Sequence, residues 1–310
     1  MTEPPITADA PALVVHTSKF GPAPGDAPPA KERPSRAVLA ALWLLDVAPF
    51  PLGEWACGAL FLLRNVVRPA VAARAWRWLA RYPSPQPLFL RTCQLFLYQG
   101  RFRARHSLIG LASPDALAAR VRIDGRDHLP EVGAILLGFH VGPPVAGEAL
   151  CASGIPVLSV AGQRYSRQWT NEAWAPVRRL SEAFALTEDP SVLGGALYRM
   201  RRRLAGGEHV YVMGDGLKGR VAFTLQVHDV RVLKMKSSWL LLAKHTGARV
   251  VPVTTHYEGP IQVVTLHPPL PPFDPARIED LVQCQALLQA LLERHAAAHP
   301  EQCSGFVYSY

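Results

Sequence analysis

The chain has 310 residues, 49% of them hydrophobic, and its 33 Lys and Arg against 24 Asp and Glu leave a net charge of +9. That supplies apolar material for one large domain, or for one domain plus an appendage, and a basic surface suits anionic partners such as lipid headgroups, acidic carrier proteins or nucleic acid. The five cysteines, Cys57, Cys93, Cys151, Cys284 and Cys303, have no CxxC or metal-type spacing, which argues against a disulfide framework and for reduced thiols in a cytosol-facing protein.

Residues 1–36 are rich in Pro and Ala without a sustained period, so they read as a disordered tail. They lack the basic start and unbroken apolar stretch of a cleaved signal peptide. Residues 37–112 read as a membrane-proximal helical region. Its first part, 37–67, is strongly apolar but interrupted by Asp46, Pro49, Pro51 and Glu54, and neither half reaches the roughly 18 to 20 apolar residues a spanning helix needs. Two short helices on the inner face of a bilayer fit better, with Arg64, Arg68, Arg74, Arg77 and Arg81 for phosphate headgroups and Trp43, Trp55, Trp76 and Trp78 for the interface. The alternatives are helices packed on the protein's own core, or one tilted span across the Pro break. The run Arg101-Phe102-Arg103-Ala104-Arg105-His106 has one aromatic and reads as a solvated helix face, so no nucleic-acid partner is expected.

Residues 113–310 alternate between strand and helix signals. Strands are expected at 119–123, closed by the Asp124-Gly125 turn, and at 134–139, 156–160, 209–213, 250–255 and 262–266. Helices are expected through Glu148, Ala149 and Leu150 with prolines near the first turn, at 191–204 with a cationic end, at 238–245 closed by Thr246-Gly247, and at 278–298. The fold class is therefore α/β, a mixed central sheet covered by helices, with the helical pair before it.

In such sheets ligand sites lie beyond the carboxyl ends of strands, and both His140, after the apolar run 134–139, and Asp215, after 209–213, fall there. A histidine closing an apolar strand is by itself more often structural than catalytic. Asp215 between glycines is as well explained by an Asx turn as by a site role. Gly214 and Gly216 beside Lys218 offer backbone N–H groups and a cation to an anionic group, although the spacing is neither a P-loop nor GxGxxG. Arg164, in a loop after a strand, is a second candidate for holding such a group. His228, His245, His256 and His267 are scattered, so no metal is expected, and no cofactor is implied.

The stretch GAILLGFHVGPPVAGEAL (133–150) resembles the His-containing block of bacterial late lipid A acyltransferases, the lauroyl and myristoyl transferases of the lysophospholipid acyltransferase superfamily. RMRRRLAGGEHVYVMGDG resembles that family's helix, Gly-Glu turn and strand ending in Asp, and LLLAKHTGARVVPVTTHYEG its Leu-Ala-x-x-Thr-Gly-Ala-x-Val-x-Pro-Val segment. WLLDVAPFPLGEWACGALFLL is similar to its membrane-proximal helix pair, and HPEQCSGFVYSY to its C-terminal His-Pro-Glu-Gln-Trp segment. The blocks agree in order and spacing over nearly everything after residue 37.

The resemblance implies transfer of a fatty acyl group from an acyl-carrier-protein or acyl-CoA thioester to a hydroxyl of a lipid or glycolipid at the cytosolic face of the inner membrane. His140 would be the general base, because a neutral imidazole with a pKa of about 6.5 suits that work. The family's partner acid, five residues after the His, orients the ring and stabilises the imidazolium. Here that position is Val145, and Pro143-Pro144 replaces the Asn-Trp pair before it. Three explanations stand open. Glu148, one turn further along the helix, reaches His140; Asp215 supplies the charge from another strand; or the site is inactive and the chain binds lipid or scaffolds a lipid-biosynthesis complex.

Overall fold

A computed structural model describes residues 50–108, 114–143, 145–162, 184–186, 190–215, 220–227 and 231–303. The expected tail, the segment 37–49 with Trp43, and the candidate residues Arg164, Gly216 and Lys218 lie outside the described residues.

Three helices come first: α1 (Phe50–Val66), α2 (Pro69–Leu79) and α3 (Leu88–Leu108). Pro51 falls in the first turn of α1, where a missing N–H costs no intrahelical bond, so the helix runs on through Glu54. The break falls instead at Val67-Arg68, before Pro69 opens α2. No single described helix is long and apolar enough to cross a membrane, although α1 and α2 pass that test together with a bend of 104° between them.

After the short α4 (Pro114–Ala118) come β1 (Val121–Asp124), β2 (Ile135–Gly138), α5 (Ala146–Ala152), β3 (Val157–Gly162) and β4 (Phe184–Leu186). Then follow α6 (Pro190–Ala205), β5 (His209–Met213), the hairpin β6 (Val221–Val227) and β7 (Arg231–Lys236), α7 (Ser238–Thr246), β8 (Val250–Glu258), β9 (Ile261–Leu266) and α8 (Ile278–Ala298). Seven strands form one mixed sheet in the order β1-β9-β8-β2-β5-β3-β4, with β6 and β7 as a separate pair. All neighbours in the large sheet are parallel except β8 and β9. The architecture is the expected mixed sheet under helical cover.

Side chains of the central strands alternate between two apolar layers. Ile135, Leu137, Val210 and Val212 join a core with Met200, Trp239 and Leu288. Leu136, Tyr211 and Val251 join another with Ala146, Ala149 and Leu150 of α5. Burial on both faces is why these strands read as unbroken apolar runs.

Two expectations about the helical region are corrected. Trp78 does not sit at an interface: it is fully buried, and its indole N–H donates to the Pro300 carbonyl at 2.8 Å. Arg101 and Arg105 are not solvated, for they project inward from α3 one helical turn apart. Arg105 meets Glu54 of α1 at 2.7 Å and Gln262 of β9 at 2.7 Å. Arg101 donates to the Gly259 carbonyl at 2.9 Å and lies over the Tyr257 ring at 4.3 Å. A basic run with no nearby sequence partner finds its carboxylate 51 residues upstream. These contacts fasten the helical pair to the β8–β9 turn. The C-terminal segment fastens it from the other side, as Arg91 pairs with Glu301 and Gln302 exchanges hydrogen bonds with both backbone polar groups of Tyr257.

Candidate active site

β2 and β5 pair in parallel with Gly138 opposite Met213. Each strand ends there, and the same register carried two residues further sets His140 opposite Asp215. Gly214 donates its N–H to the Gly138 carbonyl at 2.9 Å, which keeps the two chains together past the last ladder rung. A Cβ at Gly214 would stand 2.6 Å from Met235 Cε and 2.8 Å from Leu137 Cδ1, so a larger residue there would require those side-chain ends to move aside.

Asp215 contacts His140 through both backbone and ring. The His140 backbone N–H faces its carboxylate at 3.0 and 3.2 Å, and ring Nδ1 lies 2.9 Å from Oδ1. The Asp215 side chain is 3% exposed while the His140 side chain is 51% exposed. The acid therefore sits beneath the ring, and the ring's outer edge meets solvent. Partial burial lowers the imidazole pKa, but the hydrogen bond and charge of Asp215 outweigh it, and the net shift is upward from the ordinary histidine value. An Nδ1–H donated to Asp215 leaves Nε2 as the basic nitrogen in the neutral tautomer. That arrangement can accept a proton from an incoming hydroxyl, thiol or water.

The loop after His140 is pinned to β8. Thr255 donates its hydroxyl to the Pro143 carbonyl at 2.6 Å, and a Cβ at Gly142 would lie 2.0 Å from the Thr255 carbonyl oxygen. The prolines thus precede α5, which begins only at Ala146. Val145 caps the helix in the left-handed region (φ 69°), the only described non-glycine residue with positive φ. A β-branched side chain rarely takes that conformation. It persists here because the valine is 7% exposed and packed with Leu136 and Leu150 in the α5 layer. Where the resembling family carries its acid, this chain has a buried apolar side chain.

Of the sequence candidates, the structure brings His140, Asp215 and Gly214 together. Glu148 is in the first turn of α5, 2% exposed, and close enough to Tyr211 for its charge to help raise that phenol's pKa after burial. The carboxylate on the His140 ring belongs to Asp215.

One nearby cation escaped the sequence reading. Lys236, at the end of β7, donates its backbone N–H to the Gly214 carbonyl at 2.7 Å and is 8% exposed. Burial and Lys234 lower its pKa, and Asp215 works against them. Its signal was available in the alternation of Leu233 and Met235, both buried, with Lys234, exposed, which marks a strand running into the site.

No family model matches the chain, and no curated protein matches it. Among solved structures it is similar to the 1-acyl-sn-glycerophosphate (LPA) acyltransferase PlsC from Thermotoga maritima, with 14% identity, a TM-score of 0.40, and coverage of 76% of this chain and 99% of that one.

Proposed function

We propose that this chain is a membrane-associated O-acyltransferase that moves a fatty acyl group from an acyl-carrier-protein or acyl-CoA thioester to a lipid or glycolipid hydroxyl. The observation that carries this reading is the Nδ1–Oδ1 contact of 2.9 Å between a half-exposed His140 and a buried Asp215 at adjacent strand ends. His140 Nε2 takes the acceptor's proton as its oxygen attacks the thioester carbonyl, a contribution of about 10²–10⁴ in rate. The tetrahedral oxyanion collapses by breaking the carbon–sulfur bond, and the imidazolium returns the proton to the departing sulfur. The Asp215 carboxylate, 2.9 Å from ring Nδ1, stabilises the imidazolium that forms. In this reading Asp215 takes over the task of the acid replaced by Val145, and Arg164, Gly214, Gly216, Lys218 and Lys236 favour an anionic acceptor or donor.

Membrane docking is supported by the outer surface of α1 and α2. Leu52, Trp55, Leu60, Leu63, Val67 and Trp76 are exposed there, and Arg64, Arg68, Arg74, Arg77 and Arg81 are exposed beside them. Exposed apolar side chains flanked by cations suit an anionic bilayer surface. The reduced cysteines favour the cytosolic face of the inner membrane.

Val145 supports a second reading, in which the chain has lost catalysis and binds lipid or scaffolds a lipid-biosynthesis complex. The test incubates full-length protein with acyl-CoA or acyl-carrier protein and lipid vesicles carrying hydroxyl acceptors, measuring thiol release and acylated lipid. Transfer that His140→Ala abolishes while vesicle binding persists supports the enzyme. Vesicle binding without turnover in the unmodified protein supports the second reading.

A further inference from the structure

Beyond the end of α8, each residue of the short segment 299–303 is held by a partner elsewhere in the fold. Pro300 accepts the indole N–H of Trp78 in α2, Glu301 pairs with Arg91 of α3, Gln302 exchanges hydrogen bonds with both backbone polar groups of Tyr257, and Cys303 is fully buried. The first link differs in kind from the rest. His299, which caps α8, lays its ring on that of His256 in β8, with centroids 3.8 Å apart and planes 15° from parallel.

A stack of two imidazoles is a poor place for a proton. His295, one turn back along α8, stands 5.3 Å from His299 and 6.3 Å from His256, so three rings crowd together. His256 and His295 are buried. Positive groups border the same groove: Arg294 from α8 and His267 from the end of β9, with His128 acting on His267 from the other side. The nearby acids are already engaged. Glu258 reaches His256 Nε2 at 3.3 Å, but its carboxylate takes two hydrogen bonds from Arg122, at 2.7 and 2.9 Å, and Glu301 is held by Arg91.

The rings are correspondingly hard to charge while the segment is closed. Burial first, and then His256, push the His299 pKa down to about 4, against Glu258 and Glu301. Burial, followed by His299, His256 and His267, pushes His295 down to about 3. Once His299 swings away it titrates near the ordinary value of about 6.5, and His295 loses the ring that crowds it. Opening therefore takes up protons. Because the closed-state values are lowered, the hold that these rings contribute is present above pH about 6.5 and is lost as pH falls from there toward about 4. The open form sets the onset, so the response begins in mildly acidic solution.

We propose that the His256–His299 stack is a proton-operated clasp: acid charges its rings and frees residues 299–303, while the strands that carry His140 and Asp215 stay folded. With the clasp open, Pro300 no longer receives the Trp78 N–H and Glu301 no longer holds Arg91, so α2 and α3 lose their ties to the C-terminal segment. α1 keeps its own anchor, because Glu54 meets Arg105, which in turn meets Gln262 of β9. Acid therefore loosens α2, whose outer surface carries the exposed Arg74, Trp76 and Arg77, and leaves α1 in place.

The test is hydrogen exchange of the full chain, followed by mass spectrometry and corrected for the intrinsic pH dependence of exchange. Peptides covering 296–303 report on the clasp, and those covering 134–139 and 209–213 on the sheet. From about pH 7.5 to about 5.5, opening of the C-terminal segment should rise by about tenfold for His299 alone and toward about a hundredfold with His295, the sheet peptides staying unmoved. His299→Phe keeps a ring to stack but cannot be charged, and should cut that rise by about tenfold. Ring titration by NMR in the unmodified chain is the second measurement, in which His299 should titrate below the ordinary value of about 6.5. Opening that does not change with pH, a rise undiminished in His299→Phe, sheet peptides that open in step with the segment, or a His299 titration at or above the ordinary value each overturns the proposal. No acyl donor or lipid enters these measurements, so the clasp and the acyl-transfer reading can fail separately.

Discussion

Asp215 engages His140 through the backbone N–H and through ring Nδ1, so a single carboxylate fixes both where the histidine sits and which way its imidazole faces. Its own side chain is 3% exposed, which keeps water from competing for that bond.

Replacing that carboxylate by an amide removes the charge while keeping the shape. In Asp215→Asn the charge that raises the His140 pKa is lost and the hydrogen bond to the ring is weakened, leaving burial to lower it, so the ring titration followed by NMR should move to lower pH. In the proposed reaction the base must be neutral, so the acid limb of any transfer activity should lie at higher pH in the unmodified protein than in the variant. A titration unmoved by the substitution would remove Asp215 from the site.

The same shift fixes the sign of one contribution to stability. The folded pKa of His140 is raised, so its stabilising contribution is fully present below the unfolded value of about 6.5 and is lost as pH rises through the folded pKa. Urea unfolding at several pH values should show this component in the unmodified protein and not in His140→Ala. Half exposure of the ring keeps the effect small.

Val145 gives an inverted ranking of substitutions. Glycine removes packing and relieves the left-handed backbone, whereas alanine removes packing and keeps most of the strain. We expect Val145→Gly to be more stable than Val145→Ala by about 1 kcal/mol, the reverse of the usual order near a helix. Equal midpoints in denaturant would show that the φ of 69° carries no strain.

Glu54→Ala leaves Arg105 buried against Gln262 without its carboxylate and should cost about 3–5 kcal/mol in unfolding free energy. Glu54→Gln, which keeps an acceptor for Arg105, should cost less. If both behave like the unmodified protein, the helical pair is not anchored through this pair.

The elements legible in the sequence were those whose burial is local. The central strands read directly because both their faces are covered, and α8 reads from Ile278 to Ala298 because its apolar stripe is long. The β6–β7 hairpin was missed although Phe223, Leu225 and Val227 are buried in alternation with Thr224 and Gln226. Its inner face packs under α8, a partner some 60 residues away. In the candidate site, His140 and Asp215 were visible as polar residues closing apolar runs, but the pairing register that sets them opposite each other was not. The histidine cluster was the least legible: His256 lies in β8, His267 just after β9, His295 in α8 and His299 just after it, and no local spacing links the first two to the last two.

The bond from Trp78 to Pro300 joins residues 222 positions apart. At a synthesis rate of about 5–20 residues per second, a ribosome needs roughly 10–45 s to make the stretch between them. Throughout that interval the indole has no carbonyl to receive its N–H, and α1 and α2 lack the segment that locks them against the sheet. This latch therefore closes only after the last described residues have emerged from the ribosome, so the seating of Trp78 is a late event in the folding of the chain.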